Sequence, residues 1–141
     1  MQSPALNATA HADASGRLPR LALDKHYAIN LVAQDELRFR VKPGRAARAA
    51  APRGGIFEFD VPAAGRYRVS ITSRHWIDVA DGETAIPSVA HHGPGCEIVH
   101  KIVEFDLSPG RPLTLQLSGA DDAIIGLAIT VAPRSATPDR T

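Results

Sequence analysis

Between Leu21 and Ala132 the chain places an apolar residue at every second position in one short run after another. That is the period of half-buried β-strands. In Glu36–Val41, Leu37, Phe39 and Val41 alternate with Arg38 and Arg40. In IFEFDV, Phe57, Phe59 and Val61 share one face, with Glu58 and Asp60 on the other. Tyr67, Val69 and Ile71 oppose Arg66, Arg68, Ser70 and Thr72. Val103, Phe105 and Leu107 oppose Glu104 and Asp106, and Leu113, Leu115 and Leu117 oppose Thr114 and Gln116. A last run sets Ile125, Leu127, Ile129 and Val131 against Gly126, Ala128 and Thr130.

Turn chemistry separates these runs. Pro62–Gly65 and Ser108-Pro109-Gly110 stand at hairpin distance, and Pro43-Gly44, Gly54-Gly55, Asp81-Gly82 and Gly119–Asp122 punctuate the rest. Strands at this spacing without long helical periods predict an all-β fold, a single antiparallel β-sandwich, jelly-roll-like, of roughly eight strands. Its expected core is Phe39, Phe57, Phe59, Tyr67, Val69, Ile71, Val103, Phe105, Leu115, Leu117, Leu127 and Ile129. Arg45–Ala51 is too short for an independent helix and reads as a basic loop with at most one helical turn. Residues 1–20 and 133–141 lack any period and read as tails around a domain at 21–132.

Composition narrows the classes. The 141 residues suit one domain, and a domain of that size buries roughly 70% of its unfolded surface without a disulfide or a metal. Sixteen basic and 15 acidic residues leave a net charge of +1, which gives no global attraction to nucleic acid. A single cysteine leaves the redox compartment open. No apolar run reaches the roughly 20 residues of a membrane helix. The start, MQSPALNATAHADASG, has no charged segment followed by an apolar one, so no leader peptide is read there.

The candidate chemistry gathers in His91–Leu107, HHGPGCEIVHKIVEFDL. His92, Cys96 and His100 are soft, deprotonatable ligands of the kind zinc and copper take. Gly93-Pro94-Gly95 rules out a helix, so a loop must bring them together. His75 and Asp78, flanking Trp76, complete a shell if their strand is adjacent. The bland alternative is solvated histidines and a cysteine serving as a small buried apolar group. H-x3-C-x3-H matches no paired metal pattern. A blue-copper site lacks its methionine, since Met1 is the only one. A cupin iron site needs alternate histidines before a glutamate such as Glu97, whereas His91 and His92 are adjacent and so face opposite ways in a strand. Cys96 with His100 is also the closest Cys–His pair for nucleophilic chemistry. Trp76 and Asp78 share the face opposite Ile77 and Val79. The expectation is that Trp76 plugs one end of the sandwich, the alternative being ligand contact by Trp76 and His91. Arg38, Arg40, Lys42, Arg45, Arg48 and Arg53 form a basic patch, read as a solvated loop and the wet face of an edge strand, the alternative being contact with an anionic partner; for nucleic acid it lacks interleaved aromatics.

GRYRVSITSRHWIDV and HHGPGCEIVHKIVEFDLSPGRPLTLQLSGA resemble a family of short proteobacterial β-domain proteins without an assigned activity, some labelled homogentisate 1,2-dioxygenase. The likeness covers roughly Leu21–Ala132. It implies a single β-domain, usually made with a signal peptide and thus periplasmic or secreted; the leaderless start keeps a cytoplasmic placement open. The label implies a much larger cupin iron enzyme whose ligand spacing this chain lacks, so the activity is not carried over. F-x-F-D-V-P-A-x-G and the closing L-x-L-S-G are also similar to β-sandwich modules of the pre-peptidase C-terminal type. Together these give the expected function: a non-catalytic exported binding or accessory module for a small molecule or protein, not for nucleic acid. The alternative is a zinc- or copper-binding protein, or a metal-dependent, dioxygenase-like enzyme, using His91–His100.

Overall fold

The computed structural model describes residues 6–9, 17–92 and 101–132. It has strands β1 (Leu6–Thr9), β2 (Tyr27–Asn30), β3 (Val32–Ala33), β4 (Arg53–Phe59), β5 (Gly65–Ile71), β6 (Trp76–Asp81), β7 (Thr84–Ile86), β8 (Ser88–His92), β9 (Lys101–Leu107), β10 (Leu113–Ala120) and β11 (Ile124–Val131). The protein is all-β, a sandwich of two sheets ordered β1-β2-β11-β5-β9-β8 and β3-β4-β10-β6-β7. Five strands of each sheet pair antiparallel; β1 joins the edge of the first in parallel with β2.

The first half of the chain pairs with the second half in reverse order. β2 lies on β11, β4 on β10, β5 on β9 and β6 on β7. A chain folded back on itself this way, then rolled into two facing sheets, is a jelly roll. β1, β3 and β8 extend its edges. No helix among the described residues is long and apolar enough to cross a membrane.

The core lies between the sheets and contains every expected residue except Phe39. It also takes in Leu21, Tyr27, Ile29, Leu31, Ile77, Val79 and Ile125. Phe39 is only half-buried, because its segment is not a strand. A 3-10 turn occupies Gln34–Glu36, and the chain then runs as an extended arm without a ladder partner. Burial still alternates through Leu37–Val41, so the period correctly reported one face down. What is missing is a strand edge to pair with. The Gln116 side chain replaces it: Oε1 accepts from the backbone N–H of Arg40 (2.7 Å) and Val41 (3.2 Å), and Nε2 donates to the Val41 carbonyl (3.0 Å).

The arm lies on the outer face of β10. This explains why all of Leu113–Ser118 is buried, on both faces, although the residues alternate apolar and polar. Arg45–Ala51 forms bends and no helix.

Two stretches outside the alternating runs are also ordered. Thr84–Ile86 and Ser88–His92 are strands. Asp81-Gly82, with Gly82 at φ +61°, turns the chain into β7 against β6, and β8 then pairs with β9. The ordered body also starts before Leu21. Pro19 and Leu21 bond the backbone of Glu58, and the Arg20 guanidinium pairs with Glu58 and Asp60. Leu6–Thr9, inside the stretch read as a tail, supplies β1.

Candidate functional site

At one end of the sandwich β5 crosses to β6 and β10 crosses to β11. The arm passes over the same end, and a cleft of about 830 Å³ opens there. Arg45, Arg48, Trp76, His91, Lys101 and Ser118 line it, with Asp121 and Asp122 on the β10–β11 rim.

Trp76 is the centre of the arrangement. It is half-buried and stands on the outer side of β6 rather than plugging the core. The Arg45 guanidinium lies 4.8 Å from its ring centroid and the Lys101 ammonium 5.1 Å away, both over the ring. Such contacts hold a cation against the negative face of the indole. The His91 ring is tilted by 33° at 6.5 Å.

Hydrogen bonds fix the ring and the arm to each other. Trp76 Nε1–H donates to Asp78 Oδ1 (3.0 Å), and the Gly44 N–H donates to Asp78 Oδ2 (3.1 Å). A Cβ on Gly44 would meet Trp76 Nε1 at 2.7 Å, so only glycine lets the arm approach this closely. Farther on, the N–H groups of Arg48 and Ala49 both donate to the Gly119 carbonyl, at 3.1 and 3.2 Å. Gly119 itself sits at φ +91° and donates to Gln34 Oε1. Arg45 and Arg48 are therefore carried on a backbone pinned at both ends.

Lys101 reaches across the open end of the sandwich. It pairs in register with Ile71 on the core-facing line of β9, and its Nζ donates to the His75 carbonyl (2.8 Å) on the opposite sheet. Burial lowers its pKa, repulsion from Arg45 and Arg48 lowers it further, and Asp78 opposes the shift. Burial raises the Asp78 carboxyl, against the bonds from Gly44 and Trp76. None of Arg45, Arg48 and Lys101 forms an ion pair with a described carboxylate. Ser118 is 1% exposed on the cleft wall, and its hydroxyl has no hydrogen-bond partner among the described residues. A buried donor of this kind is rare and is usually met by water or a ligand.

His75 and Asp78 do not share a shell. His75 lies on the inner line with Ile77 and Val79 and is fully buried. Its Nε2 meets the Arg53 carbonyl at 3.0 Å and its Nδ1 meets Ser73 Oγ at 2.7 Å. A carbonyl only accepts, so the neutral ring carries its proton on Nε2 and both nitrogens are in use. Asp78 and Trp76 face the other way. Of the expected metal set, Cys96, His100 and the His92 side chain lie outside the described residues; the His92 and Lys101 backbones flank that segment at the cleft end. Among the described residues no three His, Cys, Asp or Glu side chains are placed to hold a metal ion.

Trp76 and His91 were legible as contact candidates. Lys101 and Ser118 were missed. The signal for Lys101 was its place on the line of Val103, Phe105 and Leu107, where a charge has no business unless the strand end is open. No family model, no curated protein and no solved structure matches the chain.

Proposed function

We propose that the protein is a binding module, not an enzyme, whose end cleft takes a small anionic ligand. One observation carries this: Arg45 and Lys101 converge on Trp76, Arg48 lines the same cleft, and none of the three forms an ion pair with a described carboxylate. Like charges gathered on a pinned backbone cost stability, and an arriving anion relieves that cost. Guanidinium pairs suit planar carboxylates and tetrahedral oxyanions. The unpartnered Ser118 hydroxyl supplies a further donor. Asp121 and Asp122 on the rim repel an extended polyanion laid across the cleft, which favours a small ligand over nucleic acid. The binding reading over a catalytic one is supported by His75, whose ring nitrogens are both engaged.

Trp76 is the only tryptophan, so its fluorescence reports this cleft alone. Titration with benzoate, acetate and inorganic sulfate is expected to give a saturable change with at least one of them, weakened by added NaCl. The double variant Arg45→Gln/Arg48→Gln should bind about tenfold more weakly or worse. A non-saturating response to all three anions, or binding unchanged in the double variant, overturns the proposal.

A further inference from the structure

We infer that Lys101 is a covalent capture site for small anionic carbonyl compounds, aldehydes or keto acids, which it holds as a reversible imine in the cleft. This rests on the anion-binding reading and adds a bond to it.

The argument starts from placement. The chain has three lysines, Lys25, Lys42 and Lys101. Lys25 and Lys42 are exposed, whereas Lys101 is half-buried on a cleft wall. Its Nζ is not free to wander, because it is tethered to the His75 carbonyl at 2.8 Å and held over the Trp76 ring. A fixed amine loses little freedom on reacting. Arg45, over the same ring, and Arg48 in the same cleft are placed to grip the carboxylate or phosphate of a molecule whose carbonyl then faces Nζ. Desolvation and neighbouring cations are the two conditions that turn a lysine into a nucleophile, and Lys101 has both.

The chemistry balances without a co-reactant. The neutral Nζ attacks the carbonyl carbon and a C–N bond forms. Both amine hydrogens then leave with the carbonyl oxygen as water, and C=N remains. Once protonated, the imine keeps the positive charge that sits over the Trp76 ring. Nothing is oxidised or reduced, and water reverses the step.

The test uses the full chain with 4-formylbenzoate as the anionic aldehyde and its methyl ester as the neutral match. Cyanoborohydride fixes any imine, and peptide mapping by mass spectrometry locates it. At limiting reagent, 4-formylbenzoate should mark Lys101 about tenfold more than Lys25, Lys42 or the α-amino group, the gain expected of one charge-assisted contact. The preference should vanish with the methyl ester and in Arg45→Gln/Arg48→Gln. Lys101→Arg should abolish the adduct, because a guanidinium forms no imine under these conditions. Label spread evenly over the amines, or a Lys101 preference equal for acid and ester, overturns the inference. If benzoate binds and quenches Trp76 but Lys101 stays unlabelled, the capture fails and the binding module stands. If benzoate does not bind and labelling ignores charge, both fail.

Discussion

Both ends of the sandwich carry charged side chains, and the two ends use them differently. At the end opposite the cleft, Gly65 pairs with Leu107, and the Ser108–Gly110 turn and Arg111 border a smaller hollow. There the charges are matched: Arg111 forms an ion pair with Asp81 at 2.6 Å, and the Arg66 guanidinium donates to Asp106 at 3.0 Å. At the cleft end Arg45 and Lys101 meet over a tryptophan with Arg48 in the same cleft, and the neighbouring carboxylate, Asp78, accepts from the Gly44 and Trp76 N–H groups instead of forming an ion pair with them. Matched charge at a turn keeps a protein soluble and contributes little else. Unmatched charge on a pinned backbone is an arrangement maintained against its own repulsion. The contrast locates the candidate site more firmly than any single residue does.

The comparison breaks first at Gln116, which ties the arm to β10. Gln116→Ala removes three part-buried hydrogen bonds and takes the partner from two N–H groups and a carbonyl of the arm. Destabilisation of about 2–3 kcal/mol is expected in urea unfolding, with loss of anion-induced Trp76 quenching. Unchanged stability would show that the arm is held elsewhere.

The next effect is pH dependence from His75. Burial holds its pKa below the usual 6.5. The unfolded chain therefore binds more protons than the folded one below that pH. The His75 contribution is whole above pH 6.5 and is lost as pH falls through the folded pKa. Thermal melts between pH 8 and pH 5 should show Tm falling on acidification, and less steeply in His75→Gln. Asp78, raised above its usual 3.8, acts in the opposite direction at more acid pH, so the signature of His75 is the difference between parent and variant.

The smallest effect belongs to the matched end. Arg111→Gln removes an exposed pair and should cost less than about 1 kcal/mol in the same unfolding assay. It should leave the Trp76 titration untouched. A variant at this end that weakened anion binding as much as Arg45→Gln/Arg48→Gln would erase the distinction between the ends.

How much of this was legible follows from what period two reports. It tells which side chains go down, and it did so even in Leu37–Val41, where the strand did not form. It does not tell whether a neighbouring edge exists, which is why the arm was read as a strand and Phe39 as core. For the site, Trp76 with Asp78 was legible because the two are neighbours on one face. Arg45 and Lys101 meeting on the Trp76 ring was not, since dozens of residues separate each from the tryptophan and nothing local encodes the encounter.

The sequence by itself determined the fold class, the inner lines of β4, β5, β9, β10 and β11, and eleven of the 21 residues in the core cluster. These follow from the pleat, which every residue in a strand obeys locally. Only the tertiary structure decided that the halves of the chain pair in reverse order, that an unladdered arm covers the outer face of β10, and that Gln116 serves it as a ladder. The same packing turned polar positions of β10 into buried ones and brought cations from the arm and from β9 to one tryptophan. Those outcomes depend on which surfaces come to face each other, a property of the packed whole.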